Sequence, residues 1–121
     1  MAELEDSAKA GVEPPPDQPG GGPLGVETRP DAPGGPVIAL SGDLDISSVE
    51  RLRAAVSEVA ETRPQELTFD MSGLRFMDSA GIAVLLGAAG KVPSVRLYRP
   101  TTAVRRVIEL TGLTEVLKVE T

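Results

Sequence analysis

Two carboxylate-rich stretches carry the residues that could do chemistry: Gly42 to Ser47 and Asp70 to Ser79. In the second, Asp78-Ser79 immediately precedes Ala80-Gly81-Ile82-Ala83-Val84-Leu85-Leu86, an apolar run that reads as a buried helix. A serine hydroxyl thus stands beside a carboxylate, at the positive end of a helix. Such a hydroxyl can be a plain cap or, with a base, a nucleophile. The base is missing, because the chain has no histidine. The flanking residues do not read G-x-S-x-G, and a serine–lysine pair would have to use Lys91 or Lys118, neither in a supporting motif. No P-loop or dinucleotide-binding glycine pattern occurs. Asp43, Asp45, Asp70 and Asp78 offer oxygen ligands to a hard cation, but short acids at strand ends and helix starts more often cap or turn.

The elements around these stretches read clearly. Leu24 to Thr28 is a weak strand, Pro30 to Pro36 a turn, and Val37-Ile38-Ala39-Leu40 a sheet-interior strand, so a hairpin spans Leu24 to Leu40. Ser41 to Asp45 reads as a loop. Ser47, with Glu50 three residues on, matches a capping box for an amphipathic helix from about Ser48 to Thr62. Val49, Leu52, Val56 and Val59 form its apolar stripe. Leu67-Thr68-Phe69 is a short strand that Asp70-Met71-Ser72-Gly73 breaks, and Leu74, Phe76 and Met77 then return to a core. The second helix runs from Ala80 to about Ala89. Val95 and Leu97 mark another strand. Thr101 or Thr102 caps a third helix with Val104, Val107, Ile108 and Thr111 on one face, ended by Gly112. Val116 to Val119 is a last short strand. This alternation predicts one α/β domain with a mostly parallel sheet of about four to five strands and helices packed on it. Functional residues of such sheets gather at the carboxyl ends of the strands, where both acidic stretches fall.

Composition narrows the function classes. Residues 1–36 hold eight of the 11 prolines and seven of the 13 glycines, with seven acids against two bases. Residues 37–121 carry 11 acids against ten bases, so the acidity belongs to the leader. Residues 1–23 are therefore expected to be a disordered leader, and residues 24–121 the folded domain. The folded part has no strong basic face, so nucleic acid is not expected as a direct partner. Phe69, Phe76 and Tyr98 are the only aromatic residues, too few for a base-stacking platform. The chain has no cysteine, which excludes disulfides and zinc–thiolate sites. No apolar stretch approaches the ~20 residues that span a bilayer, and no signal-peptide pattern opens the chain. A cytoplasmic protein without membrane insertion is the expectation.

Four motifs occur in order: Gly42-Asp43-Leu44-Asp45, Phe69-Asp70-Met71-Ser72-Gly73-Leu74, Phe76-Met77-Asp78-Ser79-Ala80-Gly81-Ile82, and Leu110-Thr111-Gly112-Leu113. Together they resemble the STAS domain of the anti-sigma factor antagonists, the anti-anti-sigma factors of bacterial partner-switching pathways. The resemblance covers roughly Leu24 to Thr121. It implies a regulatory protein of transcription, not an enzyme, with no cofactor of its own. In that family the serine after the motif aspartate is the phosphoacceptor, which maps onto Ser79, and Asp45 and Asp78 match the acids around it. The resemblance implies a partner-binding surface of Asp43, Asp45, Asp78, Ser79, Ala80 and Gly81. The implied partner is an anti-sigma factor that is also a serine kinase, with ATP bound to the kinase and a separate serine phosphatase resetting the switch. A monomer is expected. Two departures are visible: the second helix is clipped by a few residues, and the chain stops where members commonly add a final helix, which would leave part of one sheet face less covered. The alternative is a STAS interaction module that is never phosphorylated, such as a transporter accessory subunit, with Ser79 as a simple cap.

Overall fold

The computed structural model describes residues 24–112 and 117–120. The expected leader, residues 1–23, lies outside the described residues. In chain order the elements are β1 (Gly25–Arg29), β2 (Val37–Leu44), α1 (Val49–Ala60), β3 (Glu66–Met77), α2 (Ser79–Ala89), β4 (Ser94–Tyr98), α3 (Thr102–Leu110) and β5 (Lys118–Glu120). They form one five-stranded sheet in the order β1-β2-β3-β4-β5. The hairpin forms as its turn residues dictate, with β1 antiparallel to β2 from Gly25 opposite Ser41 to Arg29 opposite Val37. All other neighbours run parallel, joined by the three helices.

One face of the sheet is apolar. Ile38, Leu40 and Leu44 of β2, Leu67, Phe69, Met71, Leu74 and Met77 of β3, and Val95 and Leu97 of β4 are buried there. The helices close over them, α1 with the stripe its spacing predicted; on α3 Thr111 lies exposed beyond the helix end, and on α2 Leu86 is exposed rather than buried. Val49, Leu52, Val56 and Val59 of α1, Val84, Leu85 and Ala88 of α2, and Val104 and Ile108 of α3 join the same core. The alternate strand residues are polar or partly exposed, as on a sheet that the described residues cover on one side only. On that bare face Glu66 and Glu120 flank Arg96 at 3.2 and 3.1 Å, and Lys118 lies 3.8 Å from Glu66.

Three readings of the sequence are corrected. First, Asp70 to Gly73 does not break the strand: β3 is continuous, and its register with β2 slips between Ala39 and Ser41 and again between Gly42 and Asp43. The turn chemistry is spent on bulges that insert extra residues while pairing continues. Asp70 Oδ1 accepts the Ser72 amide (3.1 Å) and hydroxyl (2.8 Å), folding the extra residues locally. At Gly73 a Cβ would stand 3.1 Å from the Leu40 carbonyl oxygen, a close approach that glycine accommodates without any shift of the strands. Second, Ser41 to Leu44 of the expected loop belong to β2, which continues alongside its longer partner strand. Third, Phe76 does not return to the core: the second bulge turns Leu74 and Met77 inward and leaves Phe76 47% exposed. The final strand starts at Lys118, and Val116 lies outside the described residues.

Leu85 and Ile108 are fully buried, so truncation of either removes core contacts without relief from solvent. Leu85→Ala or Ile108→Ala should each cost about 2–5 kcal/mol in chemical denaturation, a large part of a small domain's stability. A loss below about 0.5 kcal/mol, the range of a neutral surface change, would contradict this packing.

Candidate functional site

The site is built by two strands ending side by side. Leu44, the last residue of β2, pairs with Met77, the last residue of β3. The next residues, Asp45 and Asp78, therefore leave the carboxyl edge of the sheet as neighbours. Asp78 donates its amide to the Leu44 carbonyl at 3.1 Å, which locks the two exits together.

Asp78 has an extended backbone and caps α2: its Oδ1 accepts the Ala80 amide at 2.9 Å. Its carbonyl accepts the Ile82 amide at 3.2 Å. The carboxylate thus satisfies one of the free amides that every helix start leaves open, and its charge suits the dipole. Ser79 is the first helical residue. Its side chain is exposed and makes no hydrogen bond among the described residues. Ala80 packs against the core edge, and Gly81 is buried. A Cβ on Gly81 would lie 2.7 Å from Leu44 Cδ2 and 2.8 Å from Met77 Cγ. Glycine at this position lets the first turn of α2 settle directly onto the paired strand ends.

Asp45 has a different task from the one expected for Ser47. Its Oδ1 accepts the Ser47 amide at 3.0 Å, the Ser47 hydroxyl at 2.6 Å and the Ser48 hydroxyl at 3.3 Å. These bonds, the Ser47 hydroxyl first, hold the carboxyl below its ordinary range against a smaller opposing effect of burial. The expected capping box is absent. Ser48 is the N-cap and makes no side-chain cap bond, while Glu50 pairs with Arg53. Asp45 accepts the Ser47 amide that Glu50 would accept in a capping box, and Glu50 turns to Arg53. The Ser48 hydroxyl instead ties the loop, accepting the Asp45 amide (3.1 Å) and donating to the Asp43 carbonyl (3.0 Å). At the third helix Thr101 likewise makes no cap bond, its hydroxyl donating to the Leu74 carbonyl at 3.0 Å.

Asp43 lies opposite Phe76 at the second register slip, and its Oδ1 is buried with no hydrogen-bond partner. The structure therefore brings Asp43, Asp45, Asp78, Ser79, Ala80 and Gly81 to one end of the sheet, but divides their work. Asp78 and Asp45 organise backbone, Gly81 and Ala80 pack, and Ser79 and Asp43 keep free polar atoms. Asp70 stands apart on β3 with Ser72. Among the described residues no group of three or more acidic, histidine or cysteine side chains is arranged to hold a metal ion. Two residues at this end were not singled out as site residues: Ile46, 79% exposed in the β2–α1 loop, and Phe76. The signal for Ile46 was an isoleucine inside an otherwise polar loop. For Phe76 there was none, because its direction depends on the bulge.

This arrangement, a serine on the first turn of the helix that follows the central strand of a one-sided α/β sheet, is that of a STAS domain. The family model described as Mlab, STAS domain matches residues 28–119. The chain belongs to the STAS family, and within it to the anti-sigma factor antagonists. It is 33% identical over 82 residues to an anti-sigma F factor antagonist of Lysinibacillus sphaericus, covering 64% of this chain and 70% of that protein. A crystal structure of an anti-sigma factor antagonist from Mycobacterium paratuberculosis superimposes with a TM-score of 0.75 at 26% identity, over 80% of this chain and 85% of that one. SpoIIAA in its unphosphorylated form gives 0.68 at 26% identity over 80% and 89%. The Bacillus SpoIIAA in its phosphorylated form gives 0.62 at 25% identity over 80% and 92%. Among the described residues no helix is long and apolar enough to cross a membrane.

Two outcomes test this geometry. Asp78→Ala should lose about 0.5–2 kcal/mol of stability, while Asp78→Asn, which keeps an acceptor for the Ala80 amide, should lose much less. Asp45 has a depressed pKa when folded, so its contribution is complete above the unfolded value and is lost as pH falls through the folded one. Asp45→Asn keeps the acceptor and removes the titration. Its stability should fall less steeply than that of the unmodified protein below about pH 4, measured by denaturation across pH.

Proposed function

We propose that the protein is a phosphorylation-switched anti-sigma factor antagonist. Unmodified, it binds an anti-sigma factor that is also a serine kinase and so frees a sigma factor. Phosphorylation of Ser79 ends that binding, and a serine phosphatase restores it. The observation that carries the reading is the state of the Ser79 hydroxyl: exposed, without a bond among the described residues, and fixed on a rigid turn. The hydroxyls of Ser47 and Ser72, by contrast, are each held by an aspartate. The relative SpoIIAA, similar over most of its length, has been solved both with and without phosphate.

The physical argument is electrostatic. A phosphoryl group brings about −1.5 to −2 charges near neutral pH. The dipole of α2 favours an anion at its start, although Asp78 already occupies the Ala80 amide, so the local fold survives. A partner has no such compensation. It would have to desolvate the added charge beside Asp78 and Asp45, which costs affinity.

A second reading has its own support, since the matching family model is named for Mlab. In that reading the domain is an interaction module that works without phosphorylation, and Ser79 is a plain first-turn residue. Incubation with ATP and the recombinant anti-sigma factor kinase of the same organism separates the two. Label should appear on Ser79 and vanish in Ser79→Ala, which should bind the kinase constitutively. Ser79→Asp should bind at least about tenfold more weakly, the scale of a mispaired interfacial charge. Label on Ser47 or Ser72 instead, or a Ser79→Asp variant that binds as tightly as the unmodified protein, would refute the switch.

A further inference from the structure

Isolated exposed apolar side chains are ordinary on a protein surface, so exposure alone assigns no role. Their placement here is not even. Of the large exposed hydrophobic residues, Ile46, Phe76, Leu86 and Leu110, two belong to the end of the sheet that carries Ser79. Ile46 is two residues beyond Leu44, Phe76 is one residue before Met77, and Leu44 and Met77 are paired. Ile46 comes from the β2–α1 loop and Phe76 from the end of β3, next to the strand exits that lead to Asp45 and Asp78.

Both extend from hydrogen-bonded backbone into solvent. Ile46 lies between Asp45 and Ser47 in a loop closed by their mutual hydrogen bonds and those of Ser48, and is 79% exposed. Phe76 is turned out by the register slip that lets Leu74 and Met77 point inward. An ordered apolar side chain loses little further freedom on binding, the condition under which it contributes most to affinity. Asp43 lies opposite Phe76, and its side chain is only partly buried. A cationic donor can therefore approach this carboxylate from solvent and make a charge-assisted hydrogen bond.

We infer that Ile46 and Phe76 are the apolar anchors by which this protein holds its anti-sigma factor partner, and that the partner sets a hydrogen-bond donor, such as an arginine or lysine, against the Asp43 carboxylate. This rests on the proposed function and adds to it the chemistry of the partner's face: an apolar recess beside a cationic group. The division of labour follows. The anchors supply affinity, and the charge at Ser79 supplies the veto.

The test is binding of the same recombinant kinase to the full-length unmodified protein and four variants, by titration calorimetry. Ile46→Ala, Phe76→Ala and Asp43→Ala should each raise Kd about tenfold or more, the range of interface hot spots. Leu110→Ala is the control, an equally exposed residue at the opposite end of the sheet, where α3 finishes. It should bind within about twofold of the unmodified protein, a scatter small beside the hot-spot range. Circular dichroism and thermal melting establish that each variant is folded. Should the unmodified protein bind while Ile46→Ala and Phe76→Ala bind equally well, the anchors are wrong and the function reading stands. Should the unmodified protein fail to bind at all, both fall together.

Discussion

A single backbone hydrogen bond, from the Asp78 amide to the Leu44 carbonyl, sets the geometry of the whole functional end. It makes two chain exits into one structure. It extends the pairing of Leu44 with Met77 by one residue and so fixes the start of α2 to the beginning of the β2–α1 loop. The bond is available because β3 is long enough to run level with β2, and β3 is that long because its two bulges absorb extra residues without ending the pairing. Gly81 completes the arrangement by letting α2 rest directly on Leu44 and Met77. Strand length, bulge and glycine are thus parts of one device whose product is a serine held rigidly in solvent.

Much of this could be read from the residues themselves. The helix stripes were plain, since Leu85 and Ile108 recur at the spacing that a buried helical face demands. The hairpin was plain from its prolines and glycines. The neighbourhood of Ser79 was visible because an acid, a serine and a helix start are adjacent in the chain. What failed were the features decided between strands. Asp70, Ser72 and Gly73 have turn chemistry whether they end a strand or bulge it, and only the register with β2 distinguishes the two. The outward turn of Phe76 follows from that same register.

The capping error has a similar origin. Ser47 and Glu50 have the spacing of a capping box, but propensity considers only the helix and its own side chains. Asp45 lies two residues before Ser47 and takes its amide at 3.0 Å, the donor that Glu50 would need, while Glu50 pairs with Arg53. The sequence contained every participant, and the competition between them was the part not legible from pattern. In both cases a local rule was overruled by a neighbour supplied by the fold.

The bare face of the sheet has a consequence for how copies of the protein meet in a crowded solution. Arg96 and Lys118 stand directly opposite each other on β4 and β5, a like-charged pair relieved by Glu66 and Glu120 on either side. The side chains of Lys118 and Glu120 are largely in water, so their ion pairs are worth little to folding. A second sheet laid flat against this one, however, would have to desolvate these charges. On the face that the described residues leave open, the charges therefore oppose the stacking that a row of valines would invite.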